Sequence, residues 1–191
     1  MLTMDLLLSG DSEEIRKEIL SIDLQELSKH INDAQYKNYF LAGPGREHYK
    51  LIAATASLFP GKTVFDVGTH FGLSSIAMSM NPEVHVISYD ILEMRRLHST
   101  PPNITYKFGD FCEDPEVLAS PFILIDVDPH DGVQEQYFHE SLIEKKYRGI
   151  VMWDDINVNK DMEKWWGELR ANKWDITNAG HWSGTGIIRY G

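Results

Sequence analysis

The sequence predicts an α/β domain with a mostly parallel sheet of seven strands, helices on both faces of the sheet and an antiparallel hairpin at the C-terminal end. Apolar strand-like runs alternate with helix-patterned segments over most of the chain, which is typical of parallel strands joined by helical crossovers. The alternation ends near the C-terminus, where residues 180–185 alone separate two strand-like runs, 174–179 and 186–190. Such a short connection cannot contain a helical crossover, so we expect these two runs to pair antiparallel.

The composition is that of one ordinary globular domain. The 191 residues suffice for one well-filled domain and are too few for two of usual size. A hydrophobic fraction of 42% and a charged fraction of 25% are common in soluble proteins. The net charge of −11 argues against sequence-independent binding to nucleic acid or anionic lipid, because such binding uses clustered Lys and Arg. We therefore expect neither a nucleic-acid nor a membrane partner.

Cysteine content and the N-terminus indicate the compartment. The single cysteine, Cys112, rules out an internal disulfide and a cysteine-based zinc cluster, which fits a reducing environment. Residues 1–10 are apolar, but they lack a basic flank and contain Asp5, so they make a poor signal peptide. No apolar run reaches the roughly 18 residues that would span a bilayer. We expect a cytoplasmic protein, and a homo-oligomer or an excised domain of a longer chain is compatible with the same sequence.

Two helical patterns open the chain. Carboxylates at the beginning of residues 11–20 make a good helix start, and apolar residues recur there at helical spacing. A second helical pattern runs through residues 24–31. Because both patterns precede the first strand, we interpret residues 1–40 as a helical cap over the sheet or the ligand site, and residues 41–191 as the main domain.

The next segment contains the first candidate ligand-binding residues. A break with glycine and proline covers residues 39–46, and residues 47–54 have a helical pattern. His48 and Tyr49 lie in the first turn of this predicted helix. They are either ordinary surface or core residues or part of a ligand pocket, and we keep both as candidate substrate-binding residues.

A strand, a glycine turn and a helix pattern follow one another at the centre of the fold. An apolar run at residues 63–67, with Asp66 inside it, leads into Gly68, and Gly72 opens a helix-patterned segment. Glycine is needed where a backbone turns sharply or touches a ligand, and a helix N-terminus offers free N–H groups to an anion. We therefore expect an anionic or zwitterionic ligand at this turn. A dinucleotide-binding fingerprint requires a further glycine where this chain has His70.

The remaining elements continue the alternation, and acids or glycines follow the strands. Asp90 ends the second strand, where a carboxylate can accept hydrogen bonds from ribose hydroxyls. Gly109 and Asp110 follow the third strand, and Asp110 is either a ligand contact or the N-cap of a helix. We expect these strands at residues 84–90, 104–108, 121–126 and 149–154, and helices at residues 134–146 and 161–170.

Acidic residues are concentrated after the fourth and fifth strands. Asp126 follows the fourth strand, and Asp154 and Asp155 follow the fifth. Adjacent parallel strands deliver their C-terminal ends to the same edge of a sheet, so these carboxylates should converge. Carboxylates in close proximity repel one another and take up protons unless a cation lies between them. Oxygen ligands without cysteine favour a hard divalent cation, Mg²⁺ first and then Mn²⁺ or Ca²⁺.

The glycine turn resembles a motif of a known family. Asp66-x-Gly68-x-x-x-Gly72 looks like motif I of the class I methyltransferases that use S-adenosylmethionine (SAM), and the resemblance covers roughly residues 40–190. It implies a Rossmann-like sheet closed by an antiparallel hairpin, with SAM as the cofactor and a polar residue near Asp110 holding the adenine. The residues that the resemblance implies for SAM binding are Asp66, Gly68, His70, Gly72, Ser74, Asp90, Gly109, Asp110 and Asp126.

The acidic pattern is similar to that of the cation-dependent small-molecule O-methyltransferases. The catechol and caffeoyl-CoA members have one Asp after the fourth strand and an Asp-Asn pair after the fifth, whereas the sugar-modifying members have Asp-Asp, as at Asp154 and Asp155. The resemblance implies a cation held by these two residues and Asp126, and methyl transfer to a hydroxyl of a small acceptor, a sugar or glycan. A catechol or phenolic O-methyltransferase and a catalytically idle SAM-fold binding module are the alternatives.

Asp128 and His130 are the candidate general bases. The catechol-type enzymes have a lysine three residues after the first metal-binding Asp, and Pro129 occupies that position here. The sugar-modifying enzymes have an Asp two residues after it, which corresponds to Asp128. In the hairpin connection, His181 and Trp182 are candidates for the acceptor wall because aromatic faces stack on sugar rings, although packing of the loop on the sheet edge would explain them equally well.

Overall fold

All seven predicted strands are present and belong to one sheet. The computed structural model describes residues 1–42 and 47–191. The strands are β1 (Thr63–Val67), β2 (His85–Asp90), β3 (Ile104–Phe108), β4 (Phe122–Ile125), β5 (Gly149–Asp154), β6 (Asn172–Asp175) and β7 (Thr185–Tyr190). Their order in the sheet is β3-β2-β1-β4-β5-β7-β6. The first five strands are parallel, and β7 pairs antiparallel with both β5 and β6.

The helices lie before the first strand and in the connections between strands. They are α1 (Met4–Leu7), α2 (Ser12–Ile19), α3 (Ala34–Ala42), α4 (His48–Ala56), α5 (Leu73–Met78), α6 (Val133–Glu144) and α7 (Lys160–Glu168). Short 3₁₀ helices occur at Leu27–His30, Phe111–Glu113, Val117–Ala119 and Thr177–Ala179. None of the helices described here combines the length and the apolar composition that crossing a membrane would require.

Side chains alternate along the strands and divide the apolar interior into two layers. In β1, Val64 packs in the layer that contains α4 and α5, whereas Phe65 packs in the layer that contains α6 and α7. Both side chains are fully buried, and full burial of one such side chain contributes about 1.5–3 kcal/mol. Helices thus cover both faces of the sheet, and the predicted fold class is confirmed.

The N-terminal helices share a layer with α4 and α5. Ile15 and Ile19 of α2 are fully buried there, in the same cluster as Ile176 next to the C-terminal hairpin. Asp11 caps α2, because its side chain accepts a hydrogen bond from the backbone N of Glu14 at 3.1 Å. The division into an N-terminal cap and a main domain stays a prediction.

The C-terminal hairpin differs from the predicted one in its first strand. The sequence pattern predicts a strand over residues 174–179, whereas β6 ends at Asp175 and a 3₁₀ turn follows. Asp175 is the reason, because its Oδ1 accepts hydrogen bonds from the backbone N of Thr177 at 3.0 Å and from the hydroxyl of Thr177 at 2.5 Å. Such local bonds compete with strand pairing. The predicted strand is wrong in its second half, and the antiparallel pairing with β7 is confirmed.

The region before α4 also differs from the prediction. The helical pattern over residues 24–31 forms only the 3₁₀ helix Leu27–His30. The Oδ1 atom of Asp23 accepts a hydrogen bond from the backbone N of Gln25 at 2.8 Å, which holds a turn where the predicted helix would begin. Helix α3, which the sequence pattern did not predict, occupies the start of the expected glycine and proline break. The rest of that break, residues 43–46, lies outside the described residues.

Candidate active site

A cleft opens at the C-terminal ends of β1, β4 and β5. Val67 pairs with Ile125, and Ile125 pairs with Trp153, so the residues that follow these three strands lie side by side. The cleft has a volume of about 640 Å³, and a second cavity of about 280 Å³ shares part of its lining, including Gly68 and Asp126. This volume is in the range of small-molecule sites, and open α/β sheets bind their ligands at this edge.

The turn after β1 requires glycine at two positions. Gly68 has φ of +97°, and a Cβ added there would lie 1.6 Å from the backbone oxygen of Asp126. Gly72 has φ of +87°, and a Cβ there would lie 2.9 Å from the Cδ1 atom of Leu97. Positive φ is unfavourable for residues that have a Cβ, and the close neighbours exclude a side chain independently. Gly68 therefore allows the turn after β1 to contact the backbone that follows β4, and Gly72 allows the same turn to pack against the Leu97 side chain.

Asp66 is connected to this turn through the hydroxyl groups of Ser88 and Thr69. Its side chain is fully buried, its Oδ2 accepts a hydrogen bond from Ser88 Oγ at 2.7 Å, and Ser88 Oγ lies 2.6 Å from Thr69 Oγ1. Burial raises the pKa of Asp66 to about 6, although hydrogen bonds from Ser88 and Ser74 lower it. Its Oδ1 atom has no hydrogen-bond partner among the residues that the structure describes. Ser74 lines the smaller cavity.

Asp90 connects the loop after β2 to the turn after β1. Its Oδ2 accepts a hydrogen bond from the backbone N of His70 at 2.8 Å, and its Oδ1 accepts bonds from the backbone N of Ile91 at 2.7 Å and of Leu92 at 3.1 Å. His70 has φ of +43°, an uncommon conformation for a residue other than glycine. The position of the missing fingerprint glycine thus holds a histidine whose backbone is fixed by Asp90, and both residues line the cleft.

Gly109 and Asp110 line the cleft after β3. The Oδ1 of Asp110 accepts a hydrogen bond from the backbone N of Cys112 at 2.8 Å, which makes it the N-cap of a 3₁₀ helix. Its Oδ2 accepts a hydrogen bond from the hydroxyl of Tyr137 at 2.7 Å. Asp110 therefore has the capping role that the sequence left open, and its contact with a ligand stays a prediction.

The three predicted metal ligands, Asp126, Asp154 and Asp155, line the same cleft. Burial raises the pKa of Asp126 well above its usual range, and the negative charges of Asp154 and Asp155 raise it further. The carboxylates are therefore close enough to repel one another. This part of the cleft favours a bound positive charge.

Asp154 lies next to two buried histidines. Its Oδ2 is 3.2 Å from Nδ1 of His181 and 3.7 Å from Nε2 of His48, and the centroids of the two imidazole rings are 4.8 Å apart. Burial lowers the pKa of His48, which keeps its imidazole neutral. Burial also acts to lower the pKa of His181, but hydrogen bonds to Asp154 and Asp155, together with their charges, raise it to about 10. Protonated His181 therefore balances part of the negative charge.

Asp155 joins this group to His130. Its Oδ1 is 3.0 Å from Nδ1 of His181 and accepts a hydrogen bond from the Ser183 hydroxyl, while its Oδ2 is 3.3 Å from Nε2 of His130. Burial acts to raise the pKa of Asp155, but the bonds from His181 and Ser183 lower it below its usual range. Nε2 of His130 is also 3.4 Å from Oδ1 of Asp128, whose side chain is 91% exposed. Imidazoles and carboxylates thus alternate from the buried end of the cleft to its mouth.

Two groups of three side chains could each hold a metal ion. Within each group, the candidate ligand atoms lie within 4.8 Å of one another. The buried group consists of His48, Asp154 and His181, and the group at intermediate depth consists of Asp126, His130 and Asp155. The sequence pattern predicts Asp126, Asp154 and Asp155 as an all-oxygen set. The structure places histidines in both groups: His48 and His181 beside Asp154, and His130 beside Asp126 and Asp155. The sequence had suggested these histidines only as a general base or as substrate contacts.

The acceptor candidates occupy different positions. His48, Tyr49 and His181 line the cleft. Trp182 lies outside the described lining and is 70% exposed, with its ring edge-on to that of His181 at a centroid distance of 5.6 Å. Trp182 could therefore meet only an acceptor that extends beyond the cleft.

Sequence reasoning missed several large side chains that line the cleft, among them Tyr39 of α3 and Ile91 and Leu92 after β2. Ile91 is 79% exposed, and exposed apolar side chains beside polar groups commonly mark ligand sites. An Ile-Leu pair directly after the carboxylate of Asp90 was the available signal. Tyr39 gave no such signal because its helix was not predicted.

Comparison with known proteins gives structural matches only. No protein-family model matches the sequence, and a search of curated proteins finds no match. The O-methyltransferase TomG from Streptomyces achromogenes, involved in tomaymycin synthesis and solved in complex with SAM, is 14% identical with a TM-score of 0.56, and the alignment covers 100% of both chains.

Two further structures match over similar lengths. The SAH-bound methyltransferase PaMTH1 from Podospora anserina is 12% identical with a TM-score of 0.56, covering 100% of this chain and 98% of that one. A protein from Staphylococcus aureus, provisionally named a caffeoyl-CoA O-methyltransferase, is 16% identical with a TM-score of 0.55, covering 95% of this chain and 92% of that one. The chain therefore has the fold of the class I SAM-dependent methyltransferases, as its glycine motif predicted.

Proposed function

We propose that the chain is a SAM-dependent O-methyltransferase that transfers a methyl group to a hydroxyl of a small acceptor, a sugar or glycan. The observation that carries the proposal is a single cleft whose lining includes both the glycine turn with Asp90 and the acidic group of Asp126, Asp154 and Asp155. A cofactor and a hydroxylated acceptor would share this cleft, which meets the positioning requirement of a methyl transfer between them.

The glycine turn and the loops after β2 and β3 would hold SAM. Asp90 offers carboxylate oxygens for the ribose hydroxyls, Ile91 and Leu92 offer apolar surface for the adenine, and Asp110 offers a polar group beside it. TomG and PaMTH1, which have the same fold, were solved with SAM and SAH respectively. This supports SAM as the cofactor.

The acidic half of the cleft fits a divalent cation held by Asp126, Asp154 and Asp155. The raised pKa of Asp126 reflects burial and the repulsion of the neighbouring carboxylates, and a bound cation would relieve that repulsion. When bound, such a cation lowers the pKa of an acceptor hydroxyl and orients a second oxygen beside it. The three carboxylates by themselves would favour Mg²⁺, then Mn²⁺ or Ca²⁺.

His130 and Asp128 would remove the proton of the acceptor. Nε2 of His130 lies between Oδ1 of Asp128 at 3.4 Å and Oδ2 of Asp155 at 3.3 Å. The two carboxylates would orient the imidazole ring, and His130 would accept the proton of the acceptor hydroxyl on a ring nitrogen. Asp128 is exposed at the mouth of the cleft, where it could pass the proton to water.

A phenolic acceptor is the second candidate. Tyr39 and Tyr49 both line the cleft, with ring centroids 6.3 Å apart, and aromatic walls suit a phenol as well as a sugar. The provisional name of the Staphylococcus aureus structure refers to such an acceptor. Pro129, at the position where catechol-type enzymes have a lysine, favours the sugar.

The test combines cofactor binding with product analysis. We expect calorimetry to detect SAM binding to the full chain and no binding of NAD under the same conditions. Incubation with SAM and a panel of sugars, glycans and catechols, followed by mass spectrometry, should show methylation of a hydroxylated acceptor. Binding of NAD without SAM would overturn the cofactor assignment, and SAM binding without transfer to any member of the panel would favour a catalytically idle binding module.

A further inference from the structure

Two imidazoles converge on the carboxylate of Asp154 at the buried end of the cleft. His48, Asp154 and His181 are only 4%, 4% and 8% exposed. Nε2 of His48 lies 3.7 Å from Oδ2 of Asp154, which is too far for a hydrogen bond. In the described part of the chain, neither Nδ1 of His48 nor Nε2 of His181 has a hydrogen-bond partner. An ion on Nε2 of His48 and Nδ1 of His181 would leave these two unpaired atoms as N–H groups. The observation that points to a ligand is therefore Nε2 of His48, a buried nitrogen that faces Asp154 without forming a hydrogen bond to it.

The separations suit ligands of one ion. Zinc–nitrogen and zinc–oxygen bonds of about 2.0–2.2 Å in a tetrahedral arrangement place neighbouring ligand atoms roughly 3.3–3.5 Å apart. Oδ2 of Asp154 is 3.2 Å from Nδ1 of His181 and 3.7 Å from Nε2 of His48, and the third separation is within 4.8 Å. All three side chains line the cleft. Three protein ligands with a position open to a cleft are the usual donor set of catalytic zinc.

We propose that His48, Asp154 and His181 bind a divalent transition-metal ion of the zinc class, and that this ion is the resident cation of the cleft in place of Mg²⁺ on Asp126, Asp154 and Asp155. Imidazole nitrogen suits Zn²⁺ and its neighbours in the first transition row, whereas Mg²⁺ requires an octahedron of oxygen ligands. The outer group of Asp126, His130 and Asp155 would supply negative charge around the ion.

The inference rests on the proposed function, because it specifies the cation of the proposed methyltransferase site. The competing arrangement contains no metal. In that arrangement, protonated His181 itself bridges Asp154 and Asp155, from which its Nδ1 lies 3.2 and 3.0 Å, and the same nitrogen lies 2.7 Å from Oγ of Ser183. The two arrangements differ in whether imidazole nitrogens bind an added ion, which spectroscopy measures directly.

The experiment uses Co²⁺ as a visible stand-in for Zn²⁺ on the full chain after treatment with a chelator. We expect one equivalent of Co²⁺ to bind and to give the d–d absorption of a four-coordinate ion. The proton NMR spectrum of this sample should contain two paramagnetically shifted imidazole N–H resonances, one from each histidine. An equivalent of Zn²⁺ should displace Co²⁺, whereas a large excess of Mg²⁺ should not.

Single substitutions assign the two ligands. His48→Gln and His181→Gln should each remove one shifted resonance and weaken Zn²⁺ binding by at least about tenfold. His139→Gln is the matched control, because His139 is also buried but lies outside the cleft lining and contacts the hydroxyl of Tyr190 at 2.6 Å. Its spectrum and affinity should match those of the parent. Circular dichroism checks the folding of each variant, and the two resonances of the parent identify the ligands even if a variant does not fold.

The other outcomes distinguish this inference from the proposed function. If Mg²⁺ displaces Co²⁺ as readily as Zn²⁺ does and the shifted resonances are absent, the ion lies on carboxylate oxygens. The inference is then wrong, and a cation-dependent methyltransferase stands. If SAM binds but no divalent ion does, the inference and the cation requirement are both wrong. Failure to bind SAM as well would overturn the proposed function itself.

Discussion

Gly68 is the residue at which the turn after β1 approaches the backbone that follows β4. Two separate effects exclude a side chain there: φ is +97°, and a Cβ at this position would lie 1.6 Å from the backbone oxygen of Asp126. The first effect costs about 1–2 kcal/mol in a residue with a Cβ. The second is larger, because a backbone oxygen at the end of a central strand cannot move aside as a flexible side chain can.

Gly68→Ala should therefore lower the free energy of unfolding by clearly more than the roughly 1–2 kcal/mol of backbone strain, and any folded protein should bind SAM more weakly. Gly61→Ala separates the two effects. Gly61 has φ of +72°, but a Cβ there would meet no described atom within 4 Å. Urea unfolding of both variants gives the comparison, and equal losses would show that the contact with Asp126 is unimportant.

Asp66 should make the free energy of unfolding fall as the pH rises, whereas a salt-bridged carboxylate makes it rise. Burial raises its pKa from the ordinary 3.8 to about 6, so between these pH values the folded state holds a proton that the unfolded state has released. The free energy of unfolding therefore falls as the pH rises through this interval. A difference of roughly two pKa units limits the effect to about 3 kcal/mol.

Asp66→Asn should remove this fall. Because Asp126 also has a raised pKa and acts in the same direction, the quantity to compare is the difference between the parent and the variant in urea unfolding. That difference should change steadily from about pH 4 to about pH 6, the interval between the two pKa values. A constant difference would mean that folding leaves the pKa of Asp66 unchanged.

At the scale of elements, the strands followed from the sequence more closely than the helices did. The predicted bounds of β1, β3 and β5 agree with the structure, because each is an apolar run bounded by turn residues. Helix α3 was missed because its apolar residues lead directly into glycine and proline, which favoured a loop. The error in β6 came from Asp175, whose turn-forming hydrogen bonds a hydrophobic pattern does not report.

Helix α2 tests whether the N-terminal helices contribute to the stability of the sheet. Ile15 is fully buried in the layer that also contains α4, whereas Leu20, the residue that follows α2, is 47% exposed. Ile15→Ala should lower the free energy of unfolding by roughly 2–5 kcal/mol, as for other large-to-small core substitutions. Leu20→Ala, which removes a side chain of similar size directly after this helix, should cost less than about 1 kcal/mol.

Thermal and urea unfolding of the two variants measure the difference. A single cooperative transition in the Ile15→Ala variant, shifted to lower stability, would show that α2 unfolds together with the sheet. If both substitutions had the same small effect, residues 1–40 would be a separable cap whose packing contributes little to the main domain.

At the scale of the whole molecule, the sequence indicated which strand ends would meet but not which side chains would touch. Parallel topology brought Asp126 and Asp154 to one edge, as predicted, because neighbouring parallel strands end on the same side. The approach of His48 and His181 to Asp154 could not be predicted, since these three residues are far apart in sequence and belong to α4, β5 and the hairpin connection. Their contact depends on how helices pack on the sheet, which no local pattern records.

The cleft has a proposed SAM-binding half and a proposed cation-binding half, and substitutions in one half should not impair binding in the other. Asp90 lies in the proposed SAM half, and Asp154 lies in the proposed cation half. Treatment with a chelator should therefore abolish methyl transfer and leave the affinity for SAM nearly unchanged, because the proposed ion would orient the acceptor and not the cofactor. Asp154→Asn should behave in the same way. Asp90→Ala should do the reverse, weakening SAM by roughly 1–3 kcal/mol through lost hydrogen bonds while the metal still binds.

Two measurements on the parent and both variants test these expectations. Calorimetry gives the affinity for SAM, and a transfer assay with and without chelator gives the dependence on the cation. Restored transfer on adding back a divalent ion shows that chelation did not unfold the protein. The variant Asp161→Ala, which removes an exposed acid outside the described cleft lining, should leave both SAM affinity and metal binding unchanged. Full transfer in the chelator, together with an Asp154→Asn variant as fast as the parent, would mean that the carboxylates are balanced by His181 and that the reaction needs no cation.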